Sequence, residues 1–88
     1  MDLEQCLAIA SVATGARGGI GAPTAPEIEA LLDFTRAVAH ASERRSAPLA
    51  AYAVGMAWAG AEPDERVTFL RSATAAIDAA AAERSVLA

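Results

Sequence analysis

The sequence predicts an all-α protein, a compact bundle of about four helices forming one domain over residues 1–88. Apolar residues recur at spacings of three and four, and glycine and proline fall where helices should begin and end. No strand-like alternation and no internal repeat occurs. Alanine supplies 25 of the 88 residues. Because alanine favours helix but buries little area, we expect well-formed helices around a small core.

The first helix is predicted from Asp2 to Ala13, with Asp2 as its N-cap. The segment from Thr14 to Pro26 then contains four glycines and two prolines, too many for a helix. A connection of this length is either a flexible surface linker or a loop that carries binding groups. It lacks the lysine and the strand-to-helix context of a nucleotide motif, so we expect no nucleotide site there.

The second helix is predicted to begin near Thr24 or Ala25, with Pro26 in its first turn. It should reach about Ser42 or Arg44. The rule of three and four assigns one apolar face to this helix. That predicted face contains Ile28, Leu31, Leu32, Thr35, Val38, Ala39 and Ser42.

The third helix is predicted to begin near Pro48, within a 16-residue stretch from Ser46 to Ala61 that contains no charge. A helix without charge around its whole circumference is usually buried on all sides. We therefore expect the third helix to be the central one. Its larger side chains at Leu49, Tyr52 and Met56 should then belong to the core.

The fourth helix is predicted to begin at Pro63, after Gly60 has ended the third. Asp64 and Glu65 would lie in its first turn, where the helix dipole favours negative charge. The helix should continue to about Arg84.

Composition argues against several classes of function. Eleven acidic residues against seven arginines give a net charge of -4, so binding to nucleic acid or to an acidic membrane is not expected. The longest uncharged stretch is too short to span a bilayer. Cys6 is the only cysteine, which excludes an internal disulfide and favours a cytoplasmic location. No motif predicts a cofactor or a metal site.

Polar side chains follow one edge of the predicted second helix at spacings of three, four and four: Asp33, Arg36, His40 and Arg44. Two guanidinium groups flanking the only histidine could bind a phosphate or carboxylate by paired hydrogen bonds. An anion could also meet the adjacent Arg45 at the start of the third helix. The candidate ligand-binding residues are therefore Arg36, His40, Arg44 and Arg45.

Three interpretations of this edge remain open. It could be a solvated charged surface, a site for an anion or a protein partner, or part of a catalytic site with His40 as general base. No second catalytic group at a fixed spacing accompanies the histidine. We therefore assign no catalytic residue.

The segment LLDFTRAVAHASERRSAPLAAYAVGMAWAG, residues 31–60, carries a recognisable series of elements. These are the pair Ala39 and His40, then Arg44, the tripeptide Ala47, Pro48 and Leu49, and finally Gly55. In this respect the chain resembles a family of small helical bacterial domains of unknown function. Members of that family are often encoded beside, or fused to, the guanylyltransferase of molybdenum-cofactor biosynthesis. The resemblance implies an accessory role near that pathway.

The same elements also have a structural explanation. Pro48 would fix the start of the third helix, and Gly55 would permit a neighbouring backbone to approach closely. Arg44 could hydrogen-bond the carbonyl end of the second helix. On this view the motif specifies the corner between two helices.

The sequence thus favours a non-catalytic accessory or interaction domain that binds a protein partner or a second copy of itself through helix faces. A homo-oligomer is expected because a chain this short covers its apolar surface incompletely. The alternative is a small anion-binding protein or enzyme that uses Arg36, His40 and Arg44.

Overall fold

The computed structural model describes residues 1–87, which form four helices and no strand. Their bounds are α1 (Leu3–Thr14), α2 (Ala25–Ala41), α3 (Ser46–Ala57) and α4 (Pro63–Leu87). The predicted all-α class is confirmed, and each helix begins or ends within a few residues of its predicted limits.

Side-chain caps explain where the first two helices begin. The Asp2 carboxylate accepts a hydrogen bond from the backbone N–H of Gln5 at 2.8 Å, and the Gln5 side chain accepts one from the N–H of Asp2 at 2.8 Å. Thr24 and Glu27 form the equivalent capping box at the start of α2. Such reciprocal caps satisfy N–H groups that have no partner inside the helix. At the end of α1, Gly15 adopts the left-handed conformation, with φ of 66°.

The core lies where α2 meets α4. Ala30 and Phe34 of α2 are buried together with Leu70 of α4, and Phe34 is 4% exposed. The Trp58 ring, just after α3, lies 5.0 Å from that of Phe69, centroid to centroid. The half-buried residues around this centre are Leu31, Val38, Ala50, Val54, Trp58, Val67, Ala73 and Ile77.

The prediction that the third helix is central was wrong. It is α2 that packs against both α3 and α4. Within α3, Ala50 and Val54 face the core, whereas Leu49, Tyr52 and Met56 are exposed. The helix α3 carries no charge because it has two apolar sides. The described part of the chain covers only one of them.

The predicted apolar face of α2 was also displaced. The buried positions are Ala30, Phe34 and Ala37, with Glu27 one turn earlier, whereas Leu32 is 56% exposed and Ser42 is exposed. Phe34 is the largest of the buried side chains, and aromatic side chains dominate the energetics of a core, so its burial favours this orientation of the helix. The small residues Ala30 and Ala37 then allow α4 to approach.

A partly buried ion pair joins the start of α2 to α4. The Glu27 carboxylate accepts a hydrogen bond from Arg66 Nε at 2.8 Å, and its side chain is 10% exposed. Thr24 donates to the same carboxylate through its hydroxyl at 3.1 Å. These hydrogen bonds, led by the one from Arg66, lower the pKa of Glu27 although burial opposes the shift. Arg66 also donates to the carbonyl of Ala61.

The longest helix is α4, with 25 residues, which continues three residues beyond the predicted limit at Arg84. Asp64 and Glu65 occupy its first turn, as predicted. No helix within residues 1–87 combines the length and the apolar character that crossing a membrane requires.

The first helix stands apart from the other three. Within residues 1–87, no Cα atom of α1 lies within 8 Å of a Cα atom in another helix. The Cα radius of gyration is 15.0 Å, against about 12 Å for a typical domain of this length. The packed part of the structure is thus formed by α2, α3 and α4.

Truncation of Phe34 should be far more damaging than truncation of its exposed neighbour Leu32. We expect Phe34→Ala to lower the free energy of unfolding by about 3–5 kcal/mol, because it leaves a cavity in a core with few other large side chains. Leu32→Ala should change it by less than about 0.5 kcal/mol. Thermal or urea unfolding followed by circular dichroism measures both. Equal losses would contradict the assignment of the core.

Loss of the Glu27 charge should alter the pH dependence of stability. Since the folded pKa of Glu27 is lowered, its contribution is present above the unfolded value, about 4.3, and is lost as pH falls through the folded value. We expect Glu27→Gln to cost about 1–2 kcal/mol at pH 7, and the difference from wild type to shrink below about pH 4. Urea unfolding across pH 2.5–7 measures this, with the exposed Glu29→Gln as the matched control. A difference that is constant with pH would contradict the proposed role of the ion pair.

Candidate functional site

Side chains of α2 and α4 form a shallow depression on the surface, with a volume of about 410 Å³. It contains Arg36 and His40, two of the four predicted site residues. We call this surface the charged depression. Its polar and charged members are Asp33, Arg36, His40, Arg71, Thr74 and Asp78.

Asp33 organises the charges of this depression. One of its oxygens accepts a hydrogen bond from Arg36 Nη1 at 3.0 Å, and the other accepts one from Arg71. The hydrogen bond from Arg71, and secondarily the one from Arg36, lowers the pKa of Asp33. All three side chains are more than a third exposed, so solvent weakens these attractions. Even so, each of the two guanidinium groups already has the Asp33 carboxylate as a partner, which leaves less positive charge for an anionic ligand.

The other two predicted residues lie elsewhere. Arg44 and Arg45 are in the turn between α2 and α3 and do not line the charged depression. Arg45 Nε lies 3.8 Å from a carboxylate oxygen of Glu43, and both side chains are exposed. The helical spacing that placed Arg44 beside His40 ends with α2 at Ala41, so the predicted edge does not continue to Arg44.

The contribution of α4 to the charged depression was not predicted from the sequence. Arg71, Thr74 and Asp78 follow one another at spacings of three and four, as Asp33, Arg36 and His40 do on α2. This matching pattern indicates a polar edge on α4. The pairing of the two edges depends on how the helices pack, which their spacing does not reveal.

A second surface feature is an exposed apolar stripe on α3. Leu49, Tyr52 and Met56 are all exposed, Tyr52 by 71%, and they lie three and four residues apart, which places them on one side of the helix. We call these three residues the α3 stripe. An apolar stripe with these spacings is the pattern of anchors by which a helix binds the groove of a partner protein.

A third feature is an apolar groove of about 250 Å³ between α2 and α3. Leu31, Val54 and Trp58 line it, and Leu70 contributes from α4. Gly55 also lines it, but a Cβ atom added there would meet no atom of a neighbouring element within 4 Å. The prediction that Gly55 permits the close approach of a backbone was therefore wrong.

The family of the chain was established by comparison with known protein families. The pattern of one family, described as "Domain of unknown function (DUF6457)", matches residues 2–87. The chain belongs to the DUF6457 family. Comparison with curated proteins and with solved structures gave no match.

Membership of the DUF6457 family confirms that the chain is a domain of unknown function, as the resemblance over residues 31–60 predicted. The match extends over all four helices and therefore includes the charged depression and the α3 stripe. The family description carries no statement about ligands, partners or pathway.

The chemistry available to this DUF6457 domain follows from its side chains. Among the residues that the structure describes, no three histidine, cysteine, aspartate or glutamate side chains are grouped so that they could hold a metal ion. The charged depression brings two carboxylates to two guanidinium groups and one imidazole. Such a mixed set can pair with groups of either positive or negative charge. The α3 stripe can contribute apolar contacts.

Removal of the Asp33 charge should make the charged depression a better anion site. We expect Asp33→Asn to raise the affinity for inorganic phosphate roughly fivefold, because a carboxylate about 4 Å from a bound anion opposes it by about 1 kcal/mol in water. A phosphate titration that follows the backbone amides of His40 and Arg71 by NMR measures this. Asp64→Asn, at the far end of α4, is the matched control.

Two results would contradict this account of Asp33. One is an unchanged or weaker phosphate affinity in the Asp33→Asn variant. The other is tight, saturable binding by the unaltered protein, which would support the alternative prediction of an anion site.

Proposed function

We propose that this DUF6457 domain is a non-catalytic accessory domain that binds protein through the exposed apolar faces of its helices, with the α3 stripe as the principal contact. The observation that carries this proposal is the exposure of Leu49, Tyr52 and Met56 on a helix without charge. The three side chains span two turns, about 10 Å along the helix.

The chemistry of the stripe supports a protein partner. Tyrosine and methionine are enriched in protein interfaces, where charged side chains are depleted at the centre. Tyr52 supplies a large ring with a polar end, and Met56 adapts to an irregular surface. Because Ala50 and Val54 hold the opposite side of α3 against the core, the stripe is presented on a fixed helix.

The charged depression supports the non-catalytic part of the proposal. Asp33 accepts hydrogen bonds from both Arg36 and Arg71, so an anionic substrate would have to compete with a carboxylate of the protein itself. His40 is exposed at the last turn of α2. An exposed imidazole lacks the enclosure that strengthens the electrostatic interactions of a catalytic site.

The resemblance over residues 31–60 supports a more specific partner. It includes Ala47, Pro48, Leu49 and Gly55, and the structure places all four on α3, the helix that carries the stripe. We therefore propose that the domain acts beside the guanylyltransferase of molybdenum-cofactor biosynthesis and binds that enzyme through α3.

The proposal predicts that the purified chain binds the guanylyltransferase of the same organism and that the α3 stripe is required. We expect Tyr52→Glu to weaken this binding at least tenfold, because the interface would bury an unpaired charge. Leu32→Glu adds the same charge at an exposed apolar residue on α2 and should leave the affinity unchanged. Isothermal titration calorimetry measures the affinity, and circular dichroism checks that each variant remains folded. No binding, or equal losses in both variants, would contradict the proposal.

A further inference from the structure

The first helix presents an apolar face that the described part of its own chain leaves uncovered. Val12 is 85% exposed, and Ile9, one turn earlier, is more than half exposed. We call Ile9 and Val12, together with Ala8 and Ala13, the α1 face, since these four residues line one shallow apolar surface. A helix of 12 residues is marginally stable in water by itself. We therefore expect that covering this face stabilises α1.

The loop after α1 occupies a different side of the helix. The hydroxyl of Ser11 accepts a hydrogen bond from the backbone N–H of Ile20 at 2.7 Å, and Gly18–Ala22 line a surface shared with Glu4 and Leu7. Gly18 and Gly19 have positive φ values, which allows the loop to turn back along the helix. Ala8 borders both surfaces, whereas Ile9, Val12 and Ala13 line only the α1 face, which the loop leaves uncovered at these three residues.

The same loop contact limits where α1 can move. Between Ile20, which is bonded to Ser11, and Thr24, which caps α2, lie only Gly21, Ala22 and Pro23. The four residue steps from Ile20 to Thr24 span at most about 14 Å. Within residues 1–87, no Cα atom of α1 lies within 8 Å of one in α3, so the α3 stripe is not covered by the first helix of its own chain. A second copy can meet the α1 face with this contact intact.

The exposed area is sufficient for a dimer. The chain exposes 6429 Å², whereas a folded monomer of 8.9 kDa typically exposes about 4800 Å². The excess of about 1600 Å² is twice the roughly 800 Å² that each partner buries in a standard protein interface. Both uncovered apolar surfaces, the α1 face and the α3 stripe, contribute to this excess.

We infer that the protein forms a two-fold symmetric homodimer in which the α1 face of each copy packs on the α3 stripe of the other. Two-fold symmetry makes the two contacts equivalent and closes the assembly. The inference rests on the proposed function, since it uses the α3 stripe as a protein-binding surface. A second copy occupies that surface in the free domain, and the enzyme would have to displace it in order to bind the same stripe.

Cys6 provides a direct test. It is the only cysteine, it is exposed on α1, and it lies one turn before Ile9. A nitroxide is attached to Cys6 of unlabelled protein, which is mixed with ¹⁵N-labelled protein that carries no nitroxide. We expect the nitroxide to broaden the amide signals of Leu49, Tyr52 and Met56 in the labelled copy. A second sample contains chains that carry both ¹⁵N and the nitroxide, diluted into an excess of unlabelled protein. Broadening in this second sample but not in the mixed sample would show that α1 folds onto its own chain and would overturn the dimer.

A charge on the α1 face should dissociate the dimer. We expect Val12→Glu to raise the dimer dissociation constant at least tenfold in sedimentation equilibrium, while the α2–α4 part remains folded, because α1 packs against none of those helices. Leu32→Glu should leave the dissociation constant unchanged. A wild-type chain that remains monomeric at millimolar concentration would overturn the inference.

The dimer and the proposed function can fail separately. A monomer that binds the guanylyltransferase in a Tyr52-dependent manner overturns the dimer and leaves the proposed function standing. A dimer with the expected broadening that does not bind the enzyme supports the inference and contradicts the choice of enzyme partner.

Discussion

Burial of Phe34 and Ala30 against Leu70 is the interaction on which the rest of the structure depends. It fixes the rotation of α2 and places α4 along one side of it, and α3 packs on another side through Ala50 and Val54. The ion pair between Glu27 and Arg66 joins α2 to α4 beside this centre. The same packing brings the polar edges of α2 and α4 together as the charged depression and leaves the outer side of α3 free. The position of both surface features is thus a consequence of how one small core is packed.

The abundance of alanine sets the limit on what this core can do. Alanine allows helices to form and to approach closely, but each side chain removes little apolar area from water. Few large side chains are buried among the described residues, and several of comparable size, among them Leu49, Tyr52, Met56, Ile9 and Val12, are exposed. An apolar surface of this extent favours association with another protein. The small core of the domain and its proposed role in binding protein therefore both follow from its alanine-rich composition.

Local signals predicted the helices well because caps and breakers act over a few residues. Asp2, Pro63 and the glycine-rich segment after Thr14 marked boundaries that the structure confirms. Tertiary arrangement was predicted less well. The uncharged third helix resembled a buried one, since a pattern of apolar residues does not say which side will be covered. The partners of Glu27 and Asp33 on α4 lie 39 and 38 residues away, and no local spacing identifies them. Arg44 and Arg45 fall outside the charged depression because α2 ends at Ala41, before the helical spacing reaches them.

The central claim is that the apolar surfaces of α1 and α3 are uncovered in the single chain and become covered when another protein binds. Amide hydrogen exchange over a dilution series tests it most directly, because exchange reports the local opening of each helix. The account predicts that α1 and the outer side of α3 exchange much faster than α2 in dilute protein. It also predicts that their exchange slows as the concentration rises or as a bound partner is added, while exchange in α2 changes little. Protection of α1 and α3 that equals that of α2 at every dilution would contradict the account, since it would mean that the chain covers these surfaces by itself.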